Sequence, residues 1–149
     1  LGEKDGAGFD SGASYLDIAS YIQQFGSFPS EDLKELWKRI VFNIAVTNTD
    51  DHLRNHGFLF DSRGLRLSPL YDVNPNPNGT GLSLNIDEYD NSLDFDIAID
   101  AAKYYGLKKD NAAKEVKRMQ ENISIWKVIA DRIGISRTQV IEMESCFKC

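Results

Sequence analysis

The stretch Phe42-Asn43-Ile44-Ala45-Val46-Thr47-Asn48-Thr49-Asp50-Asp51-His52-Leu53-Arg54-Asn55-His56-Gly57-Phe58 changes character twice within 17 residues. Its start continues an apolar stripe at helical spacing, carried by Leu33, Leu36, Trp37, Ile40, Val41 and Ile44, and so predicts a core helix with Trp37 as packing. Pro29-Ser30 offers the helix start, with Ser30 as N-cap. From Thr47 the periodicity stops and groups that ionise or coordinate crowd together. After Gly57 the pattern turns to strands, Gly57-Phe58-Leu59-Phe60 and Leu65-Arg66-Leu67, joined by Asp61-Ser62-Arg63-Gly64 as hairpin chemistry. A polar loop between a core helix and a hairpin is held on rigid supports, as a working site requires.

Working outward, Tyr15, Ile18, Ala19, Ile22 and Phe25 predict an earlier helix stopped by Gly26. The glycines at 2, 6, 8 and 12 predict a loose opening over residues 1–13. Beyond the hairpin, Asn74-Pro75-Asn76-Pro77-Asn78-Gly79 reads as a surface loop, and Leu82-Ser83-Leu84-Asn85-Ile86 alternates like a third strand. Four helices follow: Ile97 to Tyr105, capped by Asp94 or Ser92 and closed by Gly106; Ala112 to Ile123, capped by Asp110; Trp126 to Ile133, ended by Gly134; and a last one bearing Val140, Met143 and Phe147, where Ser136 and Gln139 have capping-box spacing. The fold class is therefore mainly α with a small β hairpin, in one domain over residues 1–149.

Length and composition fit this. The 149 residues are 42% hydrophobic and 27% charged, ordinary for a globular domain. No apolar run is long enough to span a bilayer, and no signal segment opens the chain, so no membrane partner is expected. Leu1 in place of Met suggests a piece of a longer protein. With 17 basic against 23 acidic residues, net charge −6, direct nucleic-acid binding is not expected. Cys146 and Cys149 form a lone Cys-x-x-Cys, read as two thiols on a terminal helix rather than half a zinc site, since zinc needs four ligands. Two cysteines without a disulfide framework fit the cytoplasm.

The chemistry should lie at Asp50, Asn55 and Asp72. A hairpin brings its ends together, so Asp72 in Tyr71-Asp72 should return close to Asn55. Carboxylate and amide oxygens are hard ligands suited to Mg²⁺, which completes its shell with water and phosphate. An Asp followed five residues later by Asn, with a further Asp beyond, is the phosphoryl-transfer pattern of kinases. Fifteen Asp and ten Asn give about one such pair by chance. This chain holds one, in the loop where a site is expected.

The same run, followed by Leu67-Ser68-Pro69-Leu70-Tyr71-Asp72-Val73, resembles the core signature of HipA-like kinases: an apolar helix, Asn-x-Asp-x-His-x-Lys-Asn, a hairpin, and Leu-x-Pro-x-Tyr-Asp. Residues 12–21 and 94–147 are similar to the segments that flank this core in the family. The resemblance implies the α-helical C-terminal lobe of a HipA/protein-kinase-like fold, acting on ATP with Mg²⁺. It implies Asp50 as the catalytic Asp, Asn55 and Asp72 as metal ligands, and Tyr71, Arg54 and His52 beside the nucleotide. His52 is expected to bond the loop's main chain. Arg54 departs from the commoner Lys, and guanidinium and ammonium position phosphate differently. No glycine-rich phosphate loop, strand lysine or interlobe hinge is recognisable, so the chain alone is expected to turn over little or not at all. The implied setting is a bacterial toxin–antitoxin kinase that modifies a protein on Ser or Thr, an aminoacyl-tRNA synthetase being one candidate, with a DNA-binding antitoxin as partner.

Rival readings are a non-enzymatic helical interaction module or pseudokinase, and a zinc hydrolase built on His52 and His56. The zinc reading lacks the Glu that usually follows the first His. The acidic stretch from Asp87 to Asp96 lacks the Gly and terminal Glu of a calcium loop and reads as a solvated edge with helix caps.

Overall fold

A computed structural model describes residues 12–149. Helix α1 (Tyr15–Phe25) opens with a capping box in which Ser14 and Asp17 satisfy each other's backbone N–H groups. It buries Tyr15, Ile18, Ala19 and Ile22, while Phe25 stays 47% exposed. Phe25 instead packs at a tilt against Tyr21, whose ring also meets Phe58 at 5.0 Å and ties α1 to the hairpin. The expectation of a loose opening falls mostly on residues 1–11, outside the described residues. At its edge it is wrong, because Ala13 is buried and its carbonyl accepts the Asn85 N–H at 3.0 Å.

Helix α2 (Pro29–Ala45) is the axis of the core. Leu36, Trp37, Ile40, Val41 and Ile44 are all at most 1% exposed, and each such burial stabilises by roughly 1.5–3 kcal/mol. Trp37 donates its indole N–H to the Ala98 carbonyl at 2.7 Å, which settles it as core packing. The helix begins at Pro29, with Phe28 in the cap position, so Ser30 lies inside the first turn and is not the N-cap. Pro supplies the helical φ there and sacrifices no needed N–H.

The hairpin pairs β1 (Phe58–Asp61) with β2 (Gly64–Leu67) antiparallel, Phe58 opposite Leu67 and Asp61 opposite Gly64. The connection is the two-residue Ser62-Arg63 turn rather than a four-residue loop. Asp61 Oδ1 accepts the Arg63 and Gly64 N–H groups at 2.7 and 3.1 Å, and Gly64 takes φ 144°. These contacts tighten the turn by one residue on each side.

The expected third strand does not form. Leu82, Leu84 and Ile86 are buried, but Leu82 N bonds the Asn91 carbonyl, Asn85 N that of Ala13 and Ile86 N that of Asp90. Successive residues find different partners, so no ladder can build.

Helix α3 (Phe95–Ala101) has Asp94 as N-cap and runs through a 3₁₀ turn (Ala102–Tyr105) to Gly106 at φ 75°. Helix α4 (Lys109–Ile123) starts from Lys108 without a side-chain cap, so Asp110 sits in the first turn instead of capping it. A carboxylate there still favours the positive helix end. Helices α5 (Trp126–Arg132) and α6 (Arg137–Met143) follow, the latter with the Ser136–Gln139 capping box. The fold is mainly helical with one small hairpin. No helix among the described residues is long and apolar enough to cross a membrane.

Candidate active site

The site begins where α2 ends. Val46 closes the helix and Thr47 turns left-handed at φ 53°. The Thr47 N–H bonds the Ile44 carbonyl at 3.3 Å and the Asn48 N–H that of Asn43 at 2.9 Å, the paired bonds of a Schellman motif. Glycine usually fills that left-handed position; a β-branched residue there costs of order 1–3 kcal/mol. What holds it is a hydroxyl bond from Thr47 to the Cys146 carbonyl at 2.8 Å.

Asp50, Arg54 and Asp72 are exposed and Asn55 is buried. Among the described residues the Asp50 carboxylate makes no hydrogen bond, so it stands open to solvent beside the loop. A 3₁₀ turn (Leu53–Asn55) follows His52 and anchors Leu53 against the core. The Asn55 amide nitrogen lies 3.3 Å from Asp72 Oδ2 and 3.5 Å from the Asp50 carbonyl. The expected return of Asp72 to Asn55 across the hairpin is thus met. Asp72 itself has φ 57°, a conformation Asp tolerates better than most side chains. Its other oxygen accepts the Asn74 amide at 2.9 Å.

These groups fit a hard cation. A carboxylate and an amide converge at one solvent-facing point, and a half-turn of the Asn55 amide would present Oδ1 there in place of nitrogen. Asp72 and Asn55 would hold the ion, leaving room for the water and phosphate ligands that Mg²⁺ prefers.

The segment after Asp72 also frames the loop from the other side. Asn76 N bonds the Thr47 carbonyl at 2.9 Å, Asn76 Nδ2 bonds Thr49 Oγ1 at 2.9 Å, and Ser83 Oγ bonds the Thr49 carbonyl at 2.7 Å. Gly79 lies so close that an added Cβ would fall 2.3 Å from Thr49 Cγ2. The residue immediately before Asp50 is therefore gripped on side chain and main chain alike.

Tyr71 donates its hydroxyl to the Arg54 carbonyl at 2.8 Å, stitching the hairpin exit to the loop, and the residue is 45% exposed. His52 does not bond the main chain as expected: its Nε2 lies 3.5 Å from Arg54 Nη2, and its buried Nδ1 has no hydrogen-bond partner among the described residues. His56 faces the interior and meets Asp51 Oδ2 at 3.1 Å. The two histidines thus point to different surroundings, and no set of three His, Cys, Asp or Glu side chains is placed to hold a metal among the described residues.

The larger surprise is Asp51. It is 1% exposed, and its Oδ2 also accepts the Tyr15 hydroxyl at 2.7 Å and Asn43 Nδ2 at 2.6 Å. Burial, with the Asp51 charge second, pushes the Tyr15 phenol well above its ordinary range. Sequence reading passed over Asp51, Tyr15 and Asn43 as polar partners. The available signal was Asn43, an amide inside an apolar helical stripe. The aspartates from Asp87 to Asp94 are engaged in turns and caps, Asp87 with Tyr89 N and Asp90 N, Asp90 with Ser92 N, Asp94 with Asp96 N.

A mainly helical lobe whose core helix delivers an Asp-x-x-x-x-Asn loop to a hairpin, with Asp72 in the segment that follows it, has the arrangement of a kinase-like C-terminal lobe. The chain belongs to the family of the HipA-like C-terminal domain, whose family model matches residues 1–126. It is 30% identical over 64 residues, 43% of this chain, to the Sinorhizobium fredii protein named "Putative kinase Y4mE", and 34% identical over 88 residues, 54% of this chain, to a Haemophilus influenzae protein named "Putative kinase". Those matches span 15% and 26% of the two relatives' lengths, so the chain corresponds to a minor part of each. Together these findings establish a kinase-family relationship. Helices α5 and α6 lie at and beyond the end of the family match.

Proposed function

We propose that this chain is the catalytic lobe of an ATP- and Mg²⁺-dependent protein kinase that modifies Ser or Thr, acting as part of a longer protein. The observation that carries the reading is the approach of Asn55 to Asp72 at 3.3 Å beside the Asp50 main chain. Asp50 is exposed and its carboxylate has no hydrogen-bond partner among the described residues, so that group is free to orient an incoming hydroxyl and take its proton. Asn55 and Asp72 would hold Mg²⁺, which when bound offsets charge on the transferring phosphoryl group. Arg54, exposed at the same mouth, would meet phosphate oxygens through its planar fork; Tyr71 and His52 would border the nucleotide. Placement of the phosphates also needs a second set of groups, so the chain alone is expected to turn over little.

Under the same reading the protein works in the cytoplasm as the toxin of a toxin–antitoxin pair. A DNA-binding antitoxin would be its partner, and an aminoacyl-tRNA synthetase is one candidate substrate.

In the protein at its natural length, Asp50→Asn should lower phosphoryl transfer by about 10²–10⁴-fold, the range for loss of a positioned base, while ATP affinity and fold persist. Undiminished transfer by that variant would overturn the reading and leave a non-enzymatic interaction module in its place.

A further inference from the structure

A buried polar cluster centred on Asp51 lies behind the proposed site. Asp51 Oδ2 accepts donors from three separate parts of the chain: Tyr15 of α1, Asn43 of α2 and His56 after the 3₁₀ turn. Tyr15 and Asn43 are fully buried and His56 is 8% exposed. The Tyr15 and His56 rings meet edge to face at 5.7 Å. Asn43 in turn accepts Asn48 Nδ2 at 3.0 Å, so the network reaches the start of the loop as well.

Burying a carboxylate costs several kcal/mol before its partners offset it, and a well-packed apolar filling often gives equal or greater stability. Stability alone therefore supplies no reason for this cluster. The covalent chain supplies one. Asp51 directly follows Asp50, and His56 directly follows Asn55. Asp50 and Asn55, five residues apart, are thus each followed by a member of a buried pair with the same separation. Adjacent Cα atoms are fixed about 3.8 Å apart across a trans peptide, so any slip of Asp51 against His56 is passed directly to Asp50 and Asn55.

We infer that the Asp51–His56 contact is a brace across the neck of the loop, making both positioning residues for Asp50 and Asn55. The inference rests on the kinase reading of those two neighbours. Neither Asp51 nor His56 touches substrate; each acts through the residue before it. A displacement of about 1 Å at a reacting group can lower turnover on the order of 100-fold, so a loosened brace should be visible in turnover while nucleotide binding is largely retained.

The test compares His56→Leu, which removes the donor to Asp51, with His56→Gln, whose amide can replace it, in the protein at its natural length. Both variants should remain folded by circular dichroism. His56→Leu should lower kcat by roughly 10–100-fold with KM for ATP changed less than about threefold. It should also speed backbone hydrogen exchange across residues 50–56. His56→Gln should recover most of both losses. Unchanged kcat and exchange in folded His56→Leu, or equal losses in both variants, would overturn the brace. If His56→Leu does not fold, Tyr15→Phe removes another donor to the same oxygen while keeping the ring, and should show the same split in milder form; its absence there overturns the inference. If the unaltered protein transfers no phosphoryl group, the kinase reading fails by itself. Hydrogen exchange then decides the brace, and unaltered exchange in His56→Leu rejects it.

Discussion

Asp32, in the first turn of α2, accepts the backbone N–H of Leu67 on β2 at 3.0 Å across 35 residues of sequence. The same carboxylate takes the Arg66 Nε–H at 3.1 Å, and Arg66 lies over the Phe28 ring that begins the helix. Asp32 is 3% exposed, so one buried carboxylate fastens the hairpin to the core helix. Asp32→Ala leaves a buried N–H without its acceptor and should lower stability by about 2–3 kcal/mol; the half-exposed Arg66 adds little because solvent screens it. Asp32→Asn keeps an acceptor and should lose less. Urea denaturation of the two variants gives the comparison.

Replacing Asp72 separates backbone cost from ligand chemistry. At φ 57°, Ala is penalised relative to Asn by roughly 1 kcal/mol. Asp72→Ala should therefore melt below Asp72→Asn. Both should lose Mg²⁺ affinity under the proposed function, as titration calorimetry of the protein at its natural length would report.

The turn at Asp61 should make the hairpin sensitive to acid. Hydrogen bonding from the Arg63 backbone, helped by Ser27 and Gly64, holds this carboxyl below its ordinary value of 3.8. A depressed carboxyl contributes stability that is fully present above that value and is lost as pH falls through the lower folded value. Asp61→Asn should then be less stable than the parent at neutral pH, with the gap closing below about pH 3.8. Melting curves across that range check the sign; a gap that widens in acid contradicts it.

The two thiols should differ in reactivity. Cys146 is buried and burial pushes its thiol up, whereas Cys149 is exposed. Iodoacetamide at mildly alkaline pH should modify Cys149 first, and Cys146 only after denaturant is added. Mass spectrometry of the peptides distinguishes them.

Periodicity made the helices legible. Leu33 through Ile44 identified the core helix, and Ser136 with Gln139 a helix start, because those signals are local. The approach of Asp72 to Asn55 was legible because a hairpin must return its ends to one place. Thr47 was not: its left-handed turn takes a position where glycine is the signal, and the group that steadies it comes from residue 146. Residues 82–86 misled for a related reason. Alternation reports which side chains face inward, whereas a strand also needs one neighbour that pairs with several residues in succession. Asp51 was hidden by its neighbour, since two adjacent aspartates look alike in sequence although the fold exposes one and buries the other.

The bond from Thr47 to Cys146 also orders events during synthesis. At the usual pace of about 5–20 residues per second, a ribosome needs roughly 5–20 s to travel from one of these residues to the other, 99 positions apart. Until then the bend that launches the loop lacks its distant clasp, and Lys148, whose N–H closes on the Ala45 carbonyl at 2.8 Å, has not arrived. The nascent chain thus carries the loop's whole sequence for many seconds before its geometry can be completed.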